Sequence, residues 1–94
     1  MKLEFSDHKN NVLRKERGVC FDDVVEAVLE GRVLRILEHP NKSKYAHQRL
    51  LLVWIKNYVY VVPYVEDTEK IFLKTIFPSR QFTKLYTKKG GGND

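Results

Sequence analysis

No apolar run in this 94-residue chain approaches the roughly 18 residues that cross a bilayer; the longest, Leu50 to Ile55, has the length of a strand. The opening Met1-Lys2-Leu3-Glu4-Phe5-Ser6-Asp7 lacks the apolar core of a secretory signal peptide, so export is not expected. A single cysteine, Cys20, excludes an internal disulfide and has no nearby cysteine with which to hold a metal. There is no phosphate-cradling glycine loop, no Cys/His metal spacing, no Gly-x-Ser-x-Gly elbow and no internal repeat. The expectation from these absences is a cytoplasmic protein with no membrane segment, no metal and no cofactor. The length is that of one domain, because surface-to-volume scaling leaves no room for a second core.

What is present is a core's worth of apolar residues, 43% of the chain, and a positive net charge of +5. The charge is unevenly placed. Residues 1–31 carry Lys2, Lys9, Arg14, Lys15 and Arg17 against seven acids, a net of −2, which leaves +7 for the rest. A basic C-terminal two-thirds is what a polyanion ligand requires, since phosphate contacts carry much of the affinity for nucleic acid. It is also what simple solubility produces in many small domains.

Hydrophobic period and caps give the elements. Leu3 and Phe5 suit a short strand or an apolar lead-in. Ser6 or Asp7 caps a polar helix over 7–16 that ends at Arg17-Gly18, with Gly18 in a left-handed position. Phe21, Val24, Val25, Val28 and Leu29 form one apolar stripe of a second helix, with Asp22 and Asp23 in its first turn and Gly31 past its end. The period then becomes strand-like. Strands are expected at Val33–Glu38, His47–Ile55, Tyr58–Val65 and Lys70–Phe77; Pro78 stops the last, and Ser79 caps a short helix to about Thr87. The fold class is therefore α+β: two N-terminal helices, a four-stranded antiparallel sheet and a short C-terminal helix. One domain covers 1–87, and the Gly-rich 88–94 form a flexible tail.

Lys56-Asn57 suits a two-residue hairpin, which pairs Ile55 with Tyr58, Val53 with Tyr60, Leu51 with Val62 and Arg49 with Tyr64. One face then carries Tyr58, Tyr60, Tyr64 and Arg49, with His47 at its edge. The other, greasier face carries Leu50, Leu52 and Trp54 against Val59, Val61 and Pro63. The expectation is that the Trp54 face packs on the helices and the tyrosine–arginine face stays partly open. Pro63 needs a bulge or a gap in the pairing beside it.

Arg49, Tyr58, Tyr60, Tyr64 and Lys74 are a set that would suit RNA cleavage through the neighbouring 2′-hydroxyl. That reaction needs a group to take the hydroxyl proton, positive charge on the phosphorane and a proton for the leaving oxygen. Aromatic rings beside basic groups also stack unpaired bases, although strand tyrosines are equally good sheet formers with one wet edge. Near the end, Arg80, Lys84 and Tyr86 lie on a strand-to-helix connection where backbone N–H groups favour an anion, with Phe82 and Leu85 on the packing side. His8, His39 and His47 stand apart from one another in sequence, and each alone reads more readily as an ordinary surface histidine.

Three segments, Phe5-Ser6-Asp7-His8-Lys9-Asn10, Arg17-Gly18-Val19-Cys20-Phe21-Asp22-Asp23 and Ile71-Phe72-Leu73-Lys74-Thr75-Ile76-Phe77-Pro78-Ser79-Arg80, resemble the BrnT-type toxins of bacterial toxin–antitoxin pairs. The order of elements is similar too, and the resemblance runs to about Tyr86. It implies a RelE-like fold and a metal-independent endoribonuclease that cleaves RNA and inhibits translation. It implies as partners an RNA substrate and a cognate antitoxin, often of ribbon-helix-helix type, with operator DNA reached only through that antitoxin. Lys9, Arg49, Lys74 and Arg80 are the positions it carries over. Where the family usually shows Lys-His-Gly, this chain has Glu16-Arg17-Gly18, and Arg17 keeps a charge without shuttling protons near neutral pH.

Residues and resemblance together give Arg49, Lys74, Arg80, Tyr64 and His47 as the candidate catalytic set. Lys9, Arg17, Tyr60, Lys84 and Tyr86 are the candidate RNA contacts. The alternative is a non-catalytic module that binds nucleic acid or protein on the same scaffold; a third reading is an inactive partner that acts only in a complex.

Overall fold

The computed structural model describes residues 2–91, with side chains described to residue 87. Its architecture is α+β. In chain order the elements are β1 (Lys2–Glu4), α1 (Asp7–Arg17), α2 (Phe21–Leu29), β2 (Val33–Glu38), β3 (Gln48–Ile55), β4 (Tyr58–Glu66), β5 (Lys70–Leu73), β6 (Phe77–Pro78) and α3 (Arg80–Gly91).

The local signals explain most of the boundaries. Ser6 accepts from the Lys9 N–H at 3.1 Å at the start of α1, and Gly18 closes it at φ 68°, its own N–H reaching the Arg14 carbonyl. At α2 the Cys20 N–H donates to the Asp23 carboxylate at 2.9 Å, one half of a capping box. The stripe of α2 is narrower than its sequence indicates. Phe21, Val24 and Ala27 are buried, whereas Leu29 is 80% exposed, because it lies about 140° around the helix from Val24.

The expected four-stranded antiparallel sheet becomes a six-stranded mixed one, in the order β1-β5-β4-β3-β2 with β6 also on β4. Two causes account for the difference. Lys2 to Glu4 add a parallel edge strand to Lys70–Phe72, anchored by an ion pair between Lys70 and Glu4 at 3.2 Å. The expected strand Lys70–Phe77 breaks after Leu73 and resumes as β6 against Tyr60 and Val61. The break lies beside Pro63. In the alternating ladder Pro63 faces Leu50 at a non-hydrogen-bonded pair, so its missing N–H points to the β5 side, where residues 74–76 are not strand. Pro63 keeps only its carbonyl, which accepts from the Lys74 N–H at 2.8 Å.

The β3–β4 hairpin has the expected register throughout, from Ile55 opposite Tyr58 to Arg49 opposite Tyr64. Lys56 and Asn57 have φ of 53° and 61°, the left-handed pair that a type I′ turn requires. The face assignment, however, is reversed. Leu51, Val53, Ile55, Val62 and Tyr64 pack with Leu13, Phe21, Val24 and Ala27 of the first two helices, and Tyr60 packs against the same cluster. Leu52, Val59 and Val61 lie on the opposite face with Trp54, under Phe82 and Tyr86 of α3. Near the hairpin turn neither face is left open; the tyrosine–arginine face opens only at the far end of the two strands, over Arg49. The near-continuous apolar runs 50–55 and 58–65 are those of strands covered on both sides, and the choice of the greasier face for the helices has no force when both are covered.

The expected last helix stopped near Thr87; the observed α3 continues to Gly91. The remainder of the expected tail, residues 92–94, lies outside the described residues. No helix among the described residues is long and apolar enough to cross a membrane.

Candidate functional site

At the end of the sheet away from the hairpin turn, strand and loop residues alone line a cleft of about 450 Å³. Glu38, Arg49 and Tyr64 occupy one cross-strand row of its floor, and Glu66 stands two residues beyond Tyr64 on the same face. The wall is the β2–β3 connection, which brings in His39, Lys42, Tyr45 and His47. Three of the five expected catalytic residues, Arg49, Tyr64 and His47, therefore meet in one place.

The wall owes its shape to Asn41. Its side-chain oxygen accepts from the Ser43 hydroxyl at 3.0 Å and the Lys44 N–H at 3.3 Å, and its carbonyl accepts from the Tyr45 N–H at 2.9 Å. This short polar turn folds the loop back so that the His39 and Tyr45 rings meet at a tilt of 33°, with centroids 4.3 Å apart. The Lys44 ammonium lies 5.4 Å from the centre of the Tyr45 ring. The Asn41 N–H donates to Nδ1 of His39 at 3.1 Å.

Acids and bases alternate in the cleft. Lys42 is hydrogen-bonded to Glu38, and that bond, with the charge of Lys42 behind it, holds the Glu38 carboxyl below its ordinary range. Arg49 is 3.9 Å from Glu66, with side chains 55% and 39% exposed. A pair so open is worth at most about 1 kcal/mol, so an anion brought into the cleft could displace Glu66 from Arg49 at little cost. Tyr64 is 4% exposed, yet its hydroxyl has no hydrogen-bond partner among the described residues. No buried side-chain N or O atom there lacks a partner, so this hydroxyl reaches solvent in the cleft it lines. One site then combines two imidazoles, two phenols, a guanidinium and a close pair of aromatic rings. These are the parts for proton transfer, phosphate charge and base stacking.

The other expected residues lie elsewhere. Lys74 sits 5.7 Å from the Phe72 ring, and Phe72 pairs with Val65, on the sheet face opposite Tyr64 and Leu73. Arg80 begins α3, whose Ser79 cap bonds to Val59; Val59 is five residues from Tyr64 along β4, about 17 Å at strand rise. Lys84 lines a shallow groove with Phe82 and Leu85 on the far side, and Tyr86 packs over the Trp54 face. Tyr60 is half-buried under the first two helices, edge-on to Tyr58 at 5.9 Å. Arg17 donates to the Ile76 carbonyl and pins the end of α1 to the β5–β6 connection. Lys9 lies half-buried on α1 and contributes its backbone N–H to the Ser6 cap.

The cleft residues that sequence reasoning passed over are His39, Lys42, Tyr45, Glu38 and Glu66. For His39, Lys42 and Tyr45 the only signal was a polar loop containing Pro and Asn between two strands, with a histidine at each end; Glu38 and Glu66 are the last residues of β2 and β4. Among the described residues, no group of three or more His, Cys, Asp or Glu side chains is placed to hold a metal ion. Compared with known proteins, the chain matches no family model and no curated protein.

Proposed function

We propose that this protein is an endoribonuclease toxin of the BrnT kind, on a RelE-like fold, and that the cleft over Arg49 and Tyr64 is where it cuts RNA. The observation that carries the reading is the convergence of His47, Arg49, Tyr64 and His39 at one open end of the sheet. These groups can move a proton from a 2′-hydroxyl to a 5′ oxygen and balance charge on the phosphorane without a metal. The sequence resemblance adds the biological setting: translation inhibited by RNA cleavage, and neutralisation by an antitoxin of ribbon-helix-helix type that also brings the pair to operator DNA. The N-terminal segments that resemble the family serve the scaffold in this chain. Asn10, Gly18, Cys20 and Asp22 cap and clip the first two helices, so their part is structural, and the chemistry rests on the cleft.

Lys74 and Arg80 take a different role in this reading. Separated from the cleft by the sheet and by its length, they extend the basic surface along which an RNA strand lies. The test is induction of the chain in bacterial cells with growth and RNA integrity followed together. Growth arrest with fragmented RNA is expected, abolished by Arg49→Ala and only weakened by Lys74→Ala or Arg80→Ala. Intact RNA and normal growth with folded protein present would contradict the proposal.

A further inference from the structure

The two cleft histidines differ in one respect that their chemistry makes decisive. Nδ1 of His39 is 3.1 Å from the Asn41 backbone N–H. A backbone N–H only donates, so this nitrogen must be the bare one, and the neutral ring carries its proton on Nε2. The tilted Tyr45 ring packed against it and the Asn41-centred turn fix the orientation of that imidazole. Adding a second proton at Nδ1 would set N–H against N–H and lose the bond. His47, by contrast, is exposed at the mouth of the same cleft, and neither of its ring nitrogens is hydrogen-bonded among the described residues.

We infer that His39 serves the cleft as a fixed, neutral N–H donor to the phosphoryl group, and that His47 is the proton carrier. This rests on the ribonuclease reading above. In the step so described, the 2′-hydroxyl proton passes to the bare nitrogen of His47 as the 2′ oxygen bonds to phosphorus. The bond from phosphorus to the 5′ oxygen breaks, and the leaving oxygen takes the Tyr64 hydroxyl proton. The tyrosinate is restored from the His47 imidazolium through solvent. One proton has moved from the 2′ to the 5′ oxygen, the products are a 2′,3′-cyclic phosphate and a 5′-hydroxyl, and no co-reactant is consumed. Throughout, His39 Nε2–H and the Arg49 guanidinium hold the non-bridging oxygens, where charge accumulates.

The division of labour makes the two histidines respond differently to substitution. His39→Gln retains an N–H at nearly the position of Nε2. Its cleavage of a short unstructured RNA is expected within about tenfold of wild type, whereas His39→Leu loses about 10²–10³-fold, the usual effect of deleting one such donor. Both keep the wild-type dependence of rate on pH. His47→Gln is expected to lose about 10²–10⁴-fold and to flatten the limb on which rate rises with pH. Ring nitrogen NMR shifts of the folded, RNA-free protein are expected to show His39 protonated on Nε2 and bare at Nδ1 at neutral pH. A His39 ring protonated on Nδ1, a His39→Leu variant at wild-type rate, or a His39→Gln variant with a flattened pH profile overturns the assignment. A folded wild type that cuts no RNA at any pH sinks the ribonuclease reading, and the tautomer, read without RNA, separates that failure from this one.

Discussion

Asn10 is 6% exposed, a buried polar side chain placed between the first two helices. Its amide oxygen accepts from the Phe21 N–H at 2.6 Å, and its nitrogen donates to Asp22 at 3.1 Å. One side chain thus satisfies a donor at the start of α2 that has no partner within the helix. Asn10→Ala strands that buried N–H, and a loss of about 1–3 kcal/mol in urea unfolding is expected. On the floor of the cleft, the charge balance depends on single residues as well. If RNA enters the cleft as proposed, Glu66 competes with its phosphate for Arg49, and Glu66→Gln should tighten RNA binding, measured by fluorescence anisotropy at low salt. The gain should be no more than about fivefold, the equivalent of the about 1 kcal/mol that an exposed pair holds. Weaker binding would mean that Glu66 contacts the RNA itself.

Among the elements, α1 shows how a terminus is fixed. Gly18 stands at φ 68° with nothing within 4 Å of where a Cβ would lie, so Gly18→Ala should cost about 1–2 kcal/mol from backbone conformation alone. A much larger loss in thermal unfolding would point to a clash instead. This cap, the Ser6 cap and the Lys56-Asn57 turn were legible in the sequence because each depends on neighbouring residues only. The face of the hairpin was not. Its register follows from the turn, but which side meets α1 and α2 depends on where α3 folds back, a decision made by Phe82 and Tyr86, well beyond the hairpin in sequence. The break in the fifth strand has the same origin. Pro63 announces a gap, and only the sheet order shows that the gap falls between β5 and β6.

For the molecule as a whole, the structure brings only part of the expected set together, for a reason of the same kind. Arg49 and Tyr64 are cross-strand neighbours, so the hairpin register alone brought them together. His47 follows from chain proximity to Arg49. Lys74 and Arg80 were grouped with them by charge, and charge in sequence carries no information about sheet face or strand end. His39 joins the cleft through a loop whose fold depends on the Asn41 side chain, so it looked like an isolated surface histidine. If Lys74 and Arg80 serve only to track the RNA backbone, each alanine variant should lower the slope of log affinity against log salt by about 0.7, the single-strand value per phosphate. Cleavage of bound RNA should continue.

The most direct measurement of the central claim is the chemistry of the RNA ends left by the purified protein. An unstructured oligonucleotide, incubated with wild type, Arg49→Ala and Tyr64→Phe in the presence of chelator, is resolved by mass. Fragments ending in 2′,3′-cyclic phosphate and beginning with 5′-hydroxyl are expected from wild type, with the rate reduced about 10²-fold or more in both variants. Intact RNA with folded wild-type protein, or equal cleavage by all three, would contradict the account.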